Sequence, residues 1–119
     1  MDVRESLTLH APAEFRRWLQ DNHQTSIEIW LIFHKKSSGR QTLTIKQAVK
    51  EALCFGWSQS WLKPLDPQRF AVRFSPRHQG SIWSLPNLKR VQRLIEQDRM
   101  TQAGMAVLSE DFIKDEVIR

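Results

Sequence analysis

The chain has 119 residues, 40% of them hydrophobic, a net charge of +5 and one cysteine. That length predicts a single domain over residues 1–119 whose core needs no disulfide or metal staple. A lone Cys54 excludes an intrachain disulfide and, with the polar start MDVRESLTLH, predicts a reducing, cytoplasmic setting. No apolar run approaches the ~20 residues that cross a bilayer, so membrane insertion is not expected.

Ser6 to Leu9 (SLTL) read as a short edge strand. Pro12 opens a helical pattern in which Phe15, Trp18 and Leu19 share a face. Proline costs little there, because its missing N–H would lack a partner in a first turn. The pattern ends near Asp21 and Asn22. SIEIWLIFH, 26 to 34, reads as an interior strand. Ile27, Ile29, Leu31 and Phe33 line one face, and Glu28, Trp30, Ile32 and His34 the other. KKSSGR, 35 to 40, is a polar turn, either solvated or gripping a phosphate.

Thr44 with Gln47 has the form of a capping box, in which each side chain bonds a free backbone donor of the other. Ile45, Ala48, Val49, Ala52 and Leu53 form the apolar stripe of the helix that follows. Gly56 is placed to stop it in the left-handed region. Residues 57–63, WSQSWLK, alternate as a strand, with Trp57, Gln59, Trp61 and Lys63 on one face. PLDPQ, 64–68, is a turn, and 69–77, RFAVRFSPR, returns as a second strand. Its face Phe70, Val72, Phe74 is apolar, and Arg69, Arg73 and Arg77 face the other way.

Ser84 and Pro86 start another helix, with Leu88, Val91, Leu94 and Ile95 buried and Lys89, Arg90 and Arg93 nearer solvent. A last helix from Thr101 buries Ala103, Met105, Val107, Leu108 and Phe112, with Gly104 weakening it by up to ~1 kcal/mol. The fold class predicted is α+β, a small, mostly antiparallel sheet of about four strands packed with about four helices.

Four stretches together carry a resemblance. Leu43-Thr44, Cys54-Phe55-Gly56-Trp57, Arg73-Phe74-Ser75-Pro76-Arg77 and Trp83-Ser84-Leu85 with Asn87, in this order, resemble the YdeI/OmpD-associated proteins of bacteria. The likeness covers roughly residues 13 to 108. The names of that family link it to an outer-membrane porin and to bacteriocin protection, and the resemblance implies no established reaction. It also implies a domain without the C-terminal extension of longer members. The chain departs from the pattern at Ser58, Gln59 and Ser60, where the family has isoleucine, aspartate and glycine, and at Leu85, where it has lysine.

Charge and aromatics suggest where function sits. Residues 63–93 hold seven Lys/Arg against one acid, whereas 94–119 hold three against six. A local basic patch suits an anionic partner, or is simply a solvated face. If the two strands pair, Trp57 and Trp61 share a face with Arg69 and Arg73. Such a face stacks a ring and clamps a phosphate. Its alternative is plain core covered by arginines. His78, Ser81, Trp83 and Ser84 begin the next helix, whose N-terminus suits an anion and lies just after Arg77. The expected ligand site is therefore Trp57, Trp61, Arg69, Arg73, Arg77, Trp83 and Ser84.

Glu51, one turn before the CFGW stretch, is the candidate acid–base group; its alternative is a surface acid or an ion-pair partner of an arginine. Cys54 lies near a helix C-terminus among apolar neighbours, the wrong surroundings for a nucleophile. The four histidines show no ligand spacing, and no metal or cofactor is expected. The leading expectation is a domain that binds an anionic, ring-bearing small molecule. The alternatives are nucleic-acid binding through residues 63–93, a homodimerisation module, and an enzyme using Glu51.

Overall fold

The structure is a computed structural model and describes residues 6–36, 39, 42–78 and 83–108. The chain runs β1 (Ser6–Leu7), α1 (Pro12–Asn22), β2 (Ile29–His34), α2 (Ile45–Cys54), β3 (Trp57–Asp66), β4 (Arg69–Pro76), α3 (Leu85–Glu96) and α4 (Gln102–Ala106). The four strands form one mixed sheet in the order β1-β2-β4-β3. β1 runs parallel to β2, and the other two pairings are antiparallel. The α+β class is therefore as expected. Among the described residues, no helix is long and apolar enough to cross a membrane.

The helices form where the sequence signals them. Thr44 and Gln47 make the capping box, with Gln47 N donating to Thr44 Oγ1 at 3.1 Å and Thr44 N donating to Gln47 Oε1 at 3.1 Å. Ser84 caps α3 by accepting from Asn87 N at 3.3 Å. Gly56, at φ +77, takes the left-handed turn that ends α2. Phe15 and Leu19 of α1, Ala48, Ala52 and Leu53 of α2, and Val91 of α3 meet Leu31, Val72, Phe74 and Trp57 of the sheet in one core. Each large side chain fully buried there contributes about 1.5–3 kcal/mol. Aromatic edges tie the layers together. Phe15 meets Phe74 at 5.4 Å, and Trp18 meets Trp57 at 5.7 Å and 83°.

Three expectations need correction. The strand expected from residue 26 begins at Ile29. Ser26 N bonds back to Asn22 O, so the preceding residues finish α1, and Ile27 is 78% exposed. The turn expected over 64–68 is only Pro67-Gln68. β3 continues through Pro64 to Asp66, because β3 is the sheet's edge and proline removes no ladder bond on an outward side. Asp66 shapes the tighter turn by accepting from Gln68 N and Arg69 Nε at 2.9 and 2.8 Å. Those bonds, the arginine's first, hold its carboxyl below the usual range.

The third correction is α4, which is shorter than expected, and its glycine is needed. A Cβ on Gly104 would lie 2.3 Å from Cys54 O. The same carbonyl accepts from Thr101 N at 2.9 Å and Thr101 Oγ1 at 2.6 Å. Gly104 thus lets α4 lie against the end of α2. Phe112, Gly80, Ser81, Ser37, Ser38 and Arg40 fall outside the described residues.

Candidate functional site

Strand β3 does not alternate evenly. Gln59 pairs with Phe74 and Trp61 pairs with Arg73, so Ser60 is the extra residue of a β-bulge. One added residue reverses every side chain beyond it. Trp57 therefore points into the core, 1% exposed, while Trp61 stands 59% exposed on the opposite face. The expectation that the two tryptophans share a face is overturned by this bulge.

Trp61 borders a cleft of about 850 Å³ between β3 and the first turns of α2 and α3. Gln59, Ser60 and Leu62 complete the strand wall. Ile45 and Lys46 come from the start of α2. Ser84, Pro86, Asn87 and Arg90 come from the start of α3. Two helix N-termini thus open on one cavity, and each brings the positive end of its dipole. Capping uses the Gln47 and Asn87 N–H groups, and Pro86 has none, so directional contacts fall to side chains. Arg90 is braced for this by Nη1 donating to Asn87 Oδ1 at 2.9 Å. Lys46 has no hydrogen bond or ion pair among the described residues. No carboxylate lines the cleft among the described residues. An exposed indole beside two cations suits a ring that carries negative charge.

The family described as a domain of unknown function, DUF8412, matches residues 7–107. The chain belongs to that family. Comparison with curated proteins and with solved structures gave no match.

The remaining expected site residues of this DUF8412 domain are spread over the fold. Arg73 is engaged on the face that Trp61 shares. Its Nε meets Glu28 Oε2 at 2.5 Å, and its Nη1 donates to Ser60 Oγ at 2.9 Å and Ser75 Oγ at 3.3 Å. Arg73 therefore holds the bulge residue and acts on Trp61 through it. Arg69 pairs with Asp66 beside the hairpin turn. Arg77 lies over the Trp83 ring at 4.2 Å and donates to Ser58 Oγ at 3.1 Å. Burial lowers its pKa from the usual arginine value. Trp83 packs on the core, with its indole N–H buried and without a hydrogen-bond acceptor among the described residues. Of the seven residues expected, only Trp61 and Ser84 line the cleft.

Glu51 is 2% exposed and faces away from the cleft. Arg99 Nη2 donates to both of its oxygens, at 2.7 Å to Oε2, and Arg16 Nη1 reaches Oε1 at 3.5 Å. Arg16 also donates to Arg99 O at 3.0 Å and lies 5.3 Å from the Phe55 ring centre. Glu51 is therefore not a surface acid but an ion-pair partner, and it ties α1, α2 and the α3–α4 connection together. Cys54 is fully buried, and burial pushes its thiol pKa up, against a smaller opposing effect of Arg16. Among the described residues no cluster of His, Cys, Asp or Glu could hold a metal ion.

Sequence reasoning missed Lys46, Asn87 and Arg90. The signal was present in the caps. Lys46 follows Thr44 by two positions, and Asn87 and Arg90 follow Ser84 by three and six, so the two caps mark the two helix ends that converge.

Proposed function

We propose that this DUF8412 domain binds an anionic, ring-bearing small ligand, a nucleotide or a sugar phosphate, in the cleft between β3, α2 and α3. The observation that carries the proposal is the pairing of the exposed Trp61 with Lys46 and Arg90 in a cavity whose described lining has no acid. The ring stacks on Trp61. The phosphate or carboxylate lies toward Arg90 and Lys46, where the ends of α2 and α3 add favourable potential. Arg69, Arg73 and Arg77 leave the ligand-contacting set, because each is engaged within the fold. Glu51 has no part in the proposal, since it lies outside the cleft. The proposal carries with it a cytoplasmic setting and kinship with the YdeI/OmpD-associated proteins, both suggested by sequence.

Tryptophan fluorescence titrated with nucleotides and sugar phosphates tests the proposal. A saturable change that Trp61→Phe removes and Arg90→Ala weakens about tenfold supports it. An unchanged titration in both variants rejects the cleft.

A second reading rests on a separate observation. Trp61, Leu62 and Leu85 are large apolar residues left exposed at or beside the cleft. A homodimer would cover them. Sedimentation across micromolar concentrations decides this: a dimer that Trp61→Ser dissociates favours it, and a monomer throughout excludes it.

A further inference from the structure

We propose that the ligand class is single-stranded nucleic acid, laid along a trough of which the cleft forms one end. The inference rests on the binding reading above and extends it from a single ring to a chain of them.

Two more cavities continue from the cleft. One of about 250 Å³ is lined by Leu62, Pro64, Phe70, Ile45, Lys35 and Arg69. The next, of about 780 Å³, lies among Phe33, His34, Lys36, Thr44 and Phe70. Ile45 lines all three cavities, Leu62 the first two, and Lys35 and Phe70 the last two. The three are therefore successive parts of one trough. It follows β3 and crosses the first turn of α2.

The chemistry along the trough is consistent from end to end. Its floor is apolar: Ile45, Leu62 and Phe70. Its cations occur in all three parts, with Arg90 and Lys46 in the cleft, Lys35 in the two further cavities and Lys36 in the last. Arg69 adds less, because Asp66 offsets it. No carboxylate lines any of the three cavities among the described residues. Ring faces recur too. Trp61 stands in the cleft, and half-buried Phe70, backed by Phe33 at 5.5 Å, stands beyond it. Rings spaced along a cationic trough are what unpaired bases on a phosphate backbone require. A duplex would present only phosphates to this apolar floor.

Length favours a chain over one ring. Gln59 to Pro64 spans about 16 Å at ~3.3 Å per strand residue. Stacked nucleotides of one strand repeat every ~3.4 Å, so four or five would fit that span.

The test is calorimetric titration of the intact protein with dTMP, UMP, the pentamers dT5 and U5, and a short DNA duplex, at two salt concentrations. The expected result is binding of the pentamers at least tenfold tighter than of the monomers, with a steeper salt dependence. Lys36→Glu, at the far end of the trough, should remove that gain and leave monomer binding unchanged. Trp61→Ala should weaken both. The dT5 and U5 arms separate DNA from RNA as the source. Pentamers no tighter than monomers would overturn the inference while leaving the binding proposal standing. A length gain that survives Lys36→Glu, or a duplex that binds as well as dT5, would also overturn it. Binding of no compound would remove both proposals.

Discussion

Trp57 and Trp61 stand four positions apart on one strand yet point to opposite faces of the sheet, because Ser60 bulges between them. Trp57 closes the core against Trp18, and Trp61 is left for solvent or ligand. Stability and recognition are thereby assigned to two similar residues by one extra backbone unit.

Quenching and mutation should separate the pair. Trp57→Ala should cost about 3–5 kcal/mol, as removal of a fully buried aromatic does. Trp61→Ala should stay within about 0.5 kcal/mol, as surface changes do. Urea unfolding measures both. Acrylamide should quench Trp61 emission readily, and the Trp61→Phe variant should lose that accessible fraction. Equal costs for the two substitutions would contradict the bulge.

The Glu51 cluster predicts an asymmetry. Arg99 is 45% exposed and Glu51 only 3% by side chain, so losing the glutamate leaves an arginine that water can solvate. Losing the arginine leaves a buried carboxylate with Arg16 alone. Arg99→Ala should therefore destabilise by about 3 kcal/mol, and Glu51→Gln by about half as much. Denaturant midpoints of the two variants give the comparison, and the reverse order would reject this account.

Gly104→Ala should lower stability by about 2 kcal/mol or more, although alanine is the better helix former. A Cβ there meets the Cys54 carbonyl, which already accepts two bonds from Thr101. A rise in melting temperature would show that α4 does not approach α2 so closely.

Cys54 should resist alkylation by iodoacetamide at neutral pH in the folded protein and react only on unfolding. Burial favours its neutral form and raises its pKa from the ordinary 9.0. The stability this adds is intact below 9.0 and is lost as pH rises through the higher folded value. Cys54→Ser should flatten that alkaline fall.

Much of the fold was legible because its signals are local. The Thr44–Gln47 box, the Pro12 and Ser84 helix starts and the Gly56 stop depend on residues a few positions apart. The site was less legible because its determinants are not local. Nothing in WSQSWLK marks Ser60 as a bulge. Arg73 reads as a free cation until Glu28, 45 positions earlier, is placed beside it. The basic run 63–93 looked like the binding surface, but three of its arginines are engaged within the fold. The charge that matters sits on exposed Lys46, outside that run, and on half-buried Arg90 near its end, brought together only when the starts of α2 and α3 converge.

The most direct test of the cleft is an NMR titration of the labelled protein with adenosine monophosphate. The account predicts saturable shifts at the Trp61 indole N–H and at the backbone of Lys46, Ser60, Asn87 and Arg90, with the Glu51 and Trp57 signals unmoved. Shifts centred on Arg73, Arg77 and Trp83 instead, or no saturable shift at all, would contradict it.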